Sequence, residues 1–240
     1  MRVDDFICLG RTVPEESRKY GQRVCMAGVS PELRALLRVY PLPVQNPVRM
    51  RGTYRMELER NKLDSRRESW KLIDRCNIQS VSSAPIPYMD IGKFVEPHIC
   101  TSIAELNESR ASLGIVIPES VECHFDTRPG TSSSLQGMFW DDLDCAFGAN
   151  AIDLIPRISF YDSNGAHDLQ LREWGCYEFI RKYRHRAADL WDALCIKDPS
   201  RQPALLVGNM CHQRTTWLIV SVLRLHRHPQ TKPLFEKCME

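Results

Sequence analysis

Two acidic and two basic side chains lie close together in one polar segment, at Asp64, Arg66, Arg67 and Glu68. Carboxylate oxygens are the ligands that Mg²⁺ or Mn²⁺ takes in proteins, and arginines bind phosphodiester oxygens. The segment therefore fits a metal-dependent phosphodiesterase or nuclease in which Asp64 and Glu68 hold the metal. The alternative is structural, because these residue types in a polar loop usually form ion pairs of little energetic consequence.

Arginines interleaved with aromatic residues favour a different function, binding of nucleic acid or a nucleotide. In such a module arginines contact phosphates and an aromatic ring stacks on a base. This hypothesis takes in two basic clusters, around residues 38–70 and at the start of 181–186. Its site residues are Arg38, Tyr40, Arg49, Arg51, Arg66, Arg67, Trp70, Arg181 and Lys182.

Other sites are not indicated by the sequence. The ten cysteines are spread singly without a C-x-x-C pair, and the adjacent pairs Cys123-His124 and Cys211-His212 would point to opposite faces of a strand. Neither a phosphate-binding glycine loop nor a G-x-S-x-G elbow is present. We therefore expect no cofactor, apart from Mg²⁺ or Mn²⁺ under the phosphodiesterase alternative, and the sequence leaves open whether the protein is an enzyme.

Composition sets the cellular context and leaves a third interpretation open. The 32 basic and 30 acidic residues give a net charge of +2, so any attraction to a polyanion must be local. Isolated cysteines, an acidic N-terminal segment and the lack of a long apolar run predict a reduced, cytoplasmic protein with no membrane partner. A subunit that binds no ligand and works within a larger protein complex is the third interpretation.

Short apolar runs separated by turn residues predict an antiparallel sheet in residues 23–60. The runs are 24–29, 36–43 and 54–58, and alternation places Tyr54, Met56 and Leu58 on one face of the third. The prolines at 41, 43 and 47 remove backbone donors. The chain is therefore expected to leave the sheet at an edge there and to form an exposed loop over 41–47.

A long helix is predicted over residues 168–195, with Asp168 as its N-terminal cap. One side of this helix carries apolar residues at helical spacing, namely Tyr177, Ile180, Ala187, Trp191 and Leu194. The apolar run 215–223 predicts a strand in the centre of a sheet.

Together these elements predict a single compact α+β domain over residues 1–240. Its core is a mostly antiparallel, barrel-like sheet with one long helix packed on it. Residues 77–150 form a looser, insertion-like middle segment. That segment includes a short helix that Ser102 caps, with Glu105 three positions later.

Several motifs resemble those of an uncharacterised family of bacterial and archaeal proteins, in the same order over most of the chain. They are the C-x-A-G run at 25–28, R-x-Y-P-x-P at 38–43, the segment 64–69, S-L-G-I at 112–115 and V-G-N at 207–209. The resemblance implies a common order of elements but no activity. In outline the predicted fold is also similar to PUA-like domains, including EVE and ASCH domains that bind RNA or modified bases, which implies a nucleic-acid reader.

Overall fold

The first part of the chain forms a closed five-stranded barrel. The structure is a computed structural model that describes residues 1–17, 20–74, 77–127, 143–144, 146–148 and 152–226. The strands of this sheet are β1 (Arg2–Arg11), β2 (Glu15–Ser17), β3 (Gly21–Ser30), β4 (Ala35–Pro43), β5 (Thr53–Arg60), β6 (Ser69–Leu72) and β7 (Gln79–Ser80). Five of them close the barrel in the order β1-β3-β4-β6-β5, and β5 returns to β1. The β4–β6 pair is parallel and the other pairs are antiparallel.

Alternation along the strands fills the barrel, as predicted for residues 23–60. Tyr54, Met56 and Leu58 are buried inside, while Arg55 and Glu57 between them are exposed. Where β1 and β3 cross, Gly28 is required, because a Cβ atom at this position would lie 2.1 Å from the backbone oxygen of Ile7.

The predicted exit of the chain at Pro41 is wrong. Strand β4 continues to Pro43, with Leu42 paired to Val24 of β3, and Pro41 and Leu42 are buried. On the other side of β4, strand β6 pairs only with Arg38 and Val39. Pro41 and Pro43 therefore lie beyond the part of β4 that pairs on both sides.

Two further sheets follow the barrel. Their strands are β8 (Ile99–Cys100), β9 (Leu113–Val116), β10 (Ser120–Thr127), β11 (Leu154–Asp162), β12 (Gly165–Gln170), β13 (Arg201–Asn209) and β14 (Trp217–His226). The second sheet has the order β14-β13-β9-β8 and the third has the order β10-β11-β12. Strand β14 thus lies at an edge of its sheet, not at the centre. Its apolar content is explained by packing, since most of its side chains are buried against β1 and neighbouring elements.

The described helices are short: α1 (Tyr88–Val95), α2 (Ile103–Glu108), α3 (Trp174–Lys182) and α4 (Asp189–Ala193). Strands dominate, so the fold is mostly β. Ser102 caps α2 as predicted, because its side chain accepts a 3.1 Å hydrogen bond from the Glu105 amide. Within the described part of the chain, none of the helices has both the length and the apolar character that crossing a bilayer requires.

The predicted long helix over 168–195 is wrong. Asp168 lies in β12, paired with Ser159 of β11, and its carboxylate binds Arg157 instead of capping a helix. The helix begins only at Trp174 and is interrupted at Tyr183, where φ is −122° and ψ is 45°. The predicted buried face is nevertheless correct, since all five of its apolar side chains lie in the core.

The second sheet covers part of the outer surface of the barrel. Outward-facing apolar residues of β1, β3 and β4, among them Leu9, Ala27 and Leu36, pack against Leu206 and Val220 of β13 and β14. The predicted middle segment 77–150 lies partly outside the described residues, and its described part supplies β9, which pairs between β8 and β13.

Candidate nucleic-acid interface

Arg38 lies buried between the barrel and the second sheet, with only 3% of its surface exposed. Its Nη1 donates to the Ser112 hydroxyl at 2.9 Å, and its Nη2 donates to the backbone oxygen of Ser112. Gly208 of β13 leaves room for the guanidinium, since a Cβ atom there would lie 2.9 Å from Arg38 Nη2. Arg38 therefore joins the two sheets and is not available to a ligand at the surface.

Asp64 and Arg66 form a second buried connection. The Asp64 carboxylate accepts three side-chain hydrogen bonds from Arg66, at 2.8 and 3.0 Å from Nε and at 2.6 Å from Nη2. Both side chains are less than a tenth exposed. Arg66 Nη1 donates to the backbone oxygen of Asn209 at the end of β13. Burial by itself would raise the pKa of Asp64, but hydrogen bonds from Arg66 and Ser69 hold it well below its ordinary value of 3.8.

Glu68 completes this buried polar contact. Its Oε2 accepts a 2.6 Å hydrogen bond from Ser112, and its Oε1 accepts a 3.0 Å bond from Arg67. Burial favours a higher pKa for Glu68, yet these bonds hold the pKa below 4.5. We call the set the seam; it consists of Arg38, Asp64, Arg66, Glu68, Ser112 and Asn209. Four of the sequence motifs, at 38–43, 64–69, 112–115 and 207–209, contribute to it.

The phosphodiesterase alternative requires Asp64 and Glu68 to hold a metal ion, and their contacts in the seam make this unfavourable. Both oxygens of Asp64 are held by the Arg66 guanidinium, and both oxygens of Glu68 accept protein hydrogen bonds. A metal would have to displace a buried ion pair at this position. Within the described ranges, no group of three or more His, Cys, Asp or Glu side chains is arranged to hold a metal ion.

A cleft of about 640 Å³ opens beside the seam, between the barrel and the second sheet. Apolar residues of β4 and β9, such as Leu37 and Leu113, form much of its wall. Arg60, Arg67 and Trp70 also line it, and the Arg60 guanidinium lies 4.0 Å from the centre of the Trp70 ring. The indole Nε1 of Trp70 is buried, and no hydrogen-bond partner exists for it among the described residues.

Arg60 was not among the predicted site residues. It is the cross-strand partner of Trp70, because β5 and β6 pair Arg60 with Trp70 and Glu59 with Lys71. A sequence reading that recognised 53–60 and 69–72 as one hairpin would have found this pair. His98 also lines the cleft, and burial lowers its pKa below 6.5. Among the side chains that line the cleft, the exposed cations are therefore the two arginines.

The other predicted site residues lie elsewhere. Arg49 is exposed on the β4–β5 loop, and Arg51 on the same loop stacks over Tyr88 at 3.7 Å. Tyr40 is half-buried on β4. Arg181 and Lys182 are exposed at the end of α3, where Arg181 pairs with Glu178 at 2.9 Å. These five do not line the cleft. Of the nine predicted residues, the cleft brings together only Arg67 and Trp70.

Residues 3–87 match a domain family of unknown function, DUF8758. The matched segment holds all five strands of the closed barrel and ends one residue before α1. The predicted resemblance to an uncharacterised family is confirmed to that extent. Among curated proteins, no sequence matches the chain.

Two solved structures show distant likeness. The tetrameric p202 HIN2 structure has 8% sequence identity and a TM-score of 0.32, covering 93% of this chain and 87% of that one. A replication protein A heterotrimer bound to ssDNA has 10% identity and a TM-score of 0.33, covering 87% of this chain and 43% of that one. Scores this low do not establish a shared fold.

The strand order of this chain is informative by itself. A closed barrel of β1-β3-β4-β6-β5, with one parallel pair between its third and fifth strands, has the connectivity of the OB fold. OB barrels bind oligonucleotides or oligosaccharides on the face of their second and third strands. Here those strands are β3 and β4, and the second sheet covers much of their outer face. The loop that joins β5 to β6, which corresponds to a second binding element of OB barrels, carries Asp64, Arg66 and Glu68 of the seam and borders the cleft.

Proposed function

We propose that the protein binds single-stranded nucleic acid in the cleft. The observation that carries the proposal is the Arg60–Trp70 stack beside Arg67, in a groove that also has an apolar wall. The polar side chains of the remaining lining are Glu68, His98, Glu105 and Ser109. Unpaired bases need flat apolar surfaces for stacking, and their phosphates need nearby cations. The cleft offers both within one concave surface.

Each cleft residue has a separate role in this proposal. The Arg60 guanidinium, which is stacked on Trp70, presents a planar cation on which a base stacks. Alternatively, Arg60 moves aside and the base stacks directly on the indole ring. Arg67, with 63% of its side chain exposed, contacts a phosphate, while Glu68 orients its guanidinium from below.

A single strand fits better than a duplex. The arginine and aromatic side chains lie inside a cleft, where splayed bases enter but the edge of a base pair does not. The broad face of β3 and β4, which would present a flatter surface, is occupied by the second sheet. The proposal keeps Arg67 and Trp70 from the sequence hypothesis and replaces Arg38 and Arg66 with Arg60.

Fluorescence anisotropy with a labelled 12-residue oligo(dT) or oligo(U) tests the proposal. The phosphate contact of Arg67 predicts a slope of about −0.7 for log affinity against log salt, the contribution of one contact on a single strand. Arg67→Ala should therefore reduce the slope to about zero. Trp70→Leu should weaken binding roughly 5- to 100-fold, the range for loss of one stacked base.

Arg55→Ala is the matched control, because Arg55 is an exposed arginine of β5 that does not line the cleft. It should leave affinity and slope close to those of the unaltered protein. Equal losses in Arg55→Ala and Arg67→Ala would show only non-specific attraction to the surface. If the protein bound neither oligo(dT) nor oligo(U), the proposal would be refuted. The protein-complex interpretation would then be the next to test.

A further inference from the structure

Two adjoining cavities lie on the barrel away from the cleft lining, and they share Met50 and Glu173. The larger, of about 320 Å³, is lined by Arg11 and Trp174. The smaller, of about 50 Å³, is bordered by Arg51 and by Arg224 of β14. We call the pair the Glu173 pocket. Its combined size reaches the lower end of the range for small-molecule sites in proteins.

The small cavity carries two arginines that form no ion pair with any described residue, although Arg224 lies near enough to the Glu173 carboxylate to favour its charged form. Both guanidinium groups lie against one ring, with Cζ of Arg51 at 3.7 Å and Cζ of Arg224 at 4.7 Å from the centre of Tyr88. The Nε atoms of both arginines are buried without a hydrogen-bond partner in the described part of the chain. No carboxylate lies within salt-bridge distance of either among the described residues. Buried donors of this kind normally have an acceptor.

The backbone of Arg51 supports the same conclusion. Its φ is +63°, a conformation that residues other than glycine rarely adopt. The residue is held there because its amide donates to Cys8 at 2.7 Å and its Nη1 donates to the Ile86 oxygen at 2.6 Å. Strained residues whose surroundings fix them in this way occur often at ligand-binding positions.

The larger cavity offers a flat wall. The Arg11 guanidinium lies 4.9 Å from the centre of the Trp174 ring, and the Trp174 indole N–H donates to Glu178 at 3.3 Å. The nearest carboxylate to the small cavity is that of Glu173. Its Oε2 already accepts a 2.7 Å hydrogen bond from Ser221.

We infer that the Glu173 pocket binds a small phosphorylated molecule that carries a planar ring. The phosphate lies in the small cavity that Arg51 and Arg224 border, where the terminal nitrogens of their guanidinium groups donate to its oxygens. The ring lies against Trp174 in the larger cavity. This site is separate from the nucleic-acid cleft, because the two share no lining residue.

Calorimetric titration with three probes separates the two halves of the site. AMP carries a phosphate and a ring, ribose 5-phosphate carries only the phosphate, and adenosine carries only the ring. AMP should bind at least about tenfold more tightly than either of the others. Ribose 5-phosphate binding as tightly as AMP would overturn the assignment of the ring to Trp174, and absence of binding by both phosphates would overturn the site.

Variants test the residues. Arg224→Gln should weaken the affinity for AMP at least about tenfold. Arg224→Lys keeps the charge and is the safer change for folding, so it should weaken that affinity by less. Glu173→Gln removes a negative charge at constant size and should strengthen AMP binding. A loss of affinity in Glu173→Gln would contradict an anion site. Circular dichroism checks that each variant is folded.

Cross-comparison with the cleft keeps the two proposals apart. Arg67→Ala should leave AMP affinity unchanged, and Arg224→Gln should leave oligonucleotide affinity unchanged. If AMP binding were lost in Arg67→Ala and kept in Arg224→Gln, the nucleotide would belong to the cleft and the Glu173 pocket would be refuted.

Discussion

Replacing Asp64 with asparagine should destabilise the protein strongly. The substitution keeps the size of the side chain but leaves the Arg66 guanidinium buried without its counter-charge. Removing one partner of a buried ion pair costs about 3–5 kcal/mol. Because asparagine retains one oxygen acceptor, we expect a value near the lower end, about 3 kcal/mol. For a chain of this size that corresponds to a fall in Tm of roughly 6–12 °C.

Thermal unfolding followed by circular dichroism measures the effect, with Asp4→Asn as the control. Asp4 also pairs with an arginine, Arg55, but both side chains are more than 40% exposed. Exposed pairs contribute little, so the control should show no measurable change in Tm. Equal Tm values for Asp64→Asn and Asp4→Asn would refute the assignment of Asp64 to the structure.

The pH dependence gives an independent check on Asp64. Its folded-state pKa is held below 3.8, so the unfolded chain takes up the proton first as pH falls. The stabilisation is therefore complete above that value and is lost as pH falls through the folded pKa. The difference in Tm between the unaltered protein and Asp64→Asn should stay constant near neutral pH and close only below about pH 4. A gap that closed at pH 6 would contradict this origin.

Further substitutions test the fold and the Glu173 pocket. Ser102→Ala removes the cap of α2 and should cost about 1 kcal/mol in urea denaturation. Gly28→Ala places a methyl group against the Ile7 oxygen and should abolish folding or lower the free energy of unfolding by more than about 3 kcal/mol. Gly92→Ala, in α1 with open space around it, should instead raise the free energy of unfolding by roughly 0.5–1 kcal/mol. The reverse order of stabilities would contradict the packing. Burial raises the pKa of Glu173 above 4.5. The Tm of the unaltered protein should therefore fall relative to that of Glu173→Gln as pH rises through this raised pKa. A Tm difference that did not change with pH would contradict a buried carboxyl group.

Side-chain periodicity predicted burial better than it predicted elements. In residues 168–195 the apolar positions at helical spacing are all buried, yet the backbone forms a strand, a nine-residue helix and a second short helix. The spacing records which side faces the core. The α-helical hydrogen bonds of the first helix end at Tyr183, and a 3-10 helix over Arg184–Arg186 joins it to the second helix. In the second helix Trp191 packs against Phe125.

The site was harder to predict because its partners are distant in sequence. Arg38 and Ser112 are separated by 74 positions, and Arg66 and Asn209 by 143. Local composition shows a basic segment at 49–75 but does not show which arginines a second sheet will cover. The motifs that carried the family resemblance gave a better indication, because segments as far apart as 64–69 and 207–209 meet at the seam.

Covering of the barrel by the second sheet changes where a ligand can bind. An OB barrel without such a cover presents its second and third strands to the ligand. Here Arg38, on that face of the barrel, donates instead to Ser112 beside the second sheet. What remains open is the edge formed by β5, β6 and their connecting loop. Glu68 links the two regions, since one of its oxygens is fixed by Ser112 in the seam and the other holds Arg67 at the cleft. The contact that closes the broad face therefore also orients Arg67 at the cleft, and under the proposed function this cation is positioned before a strand binds.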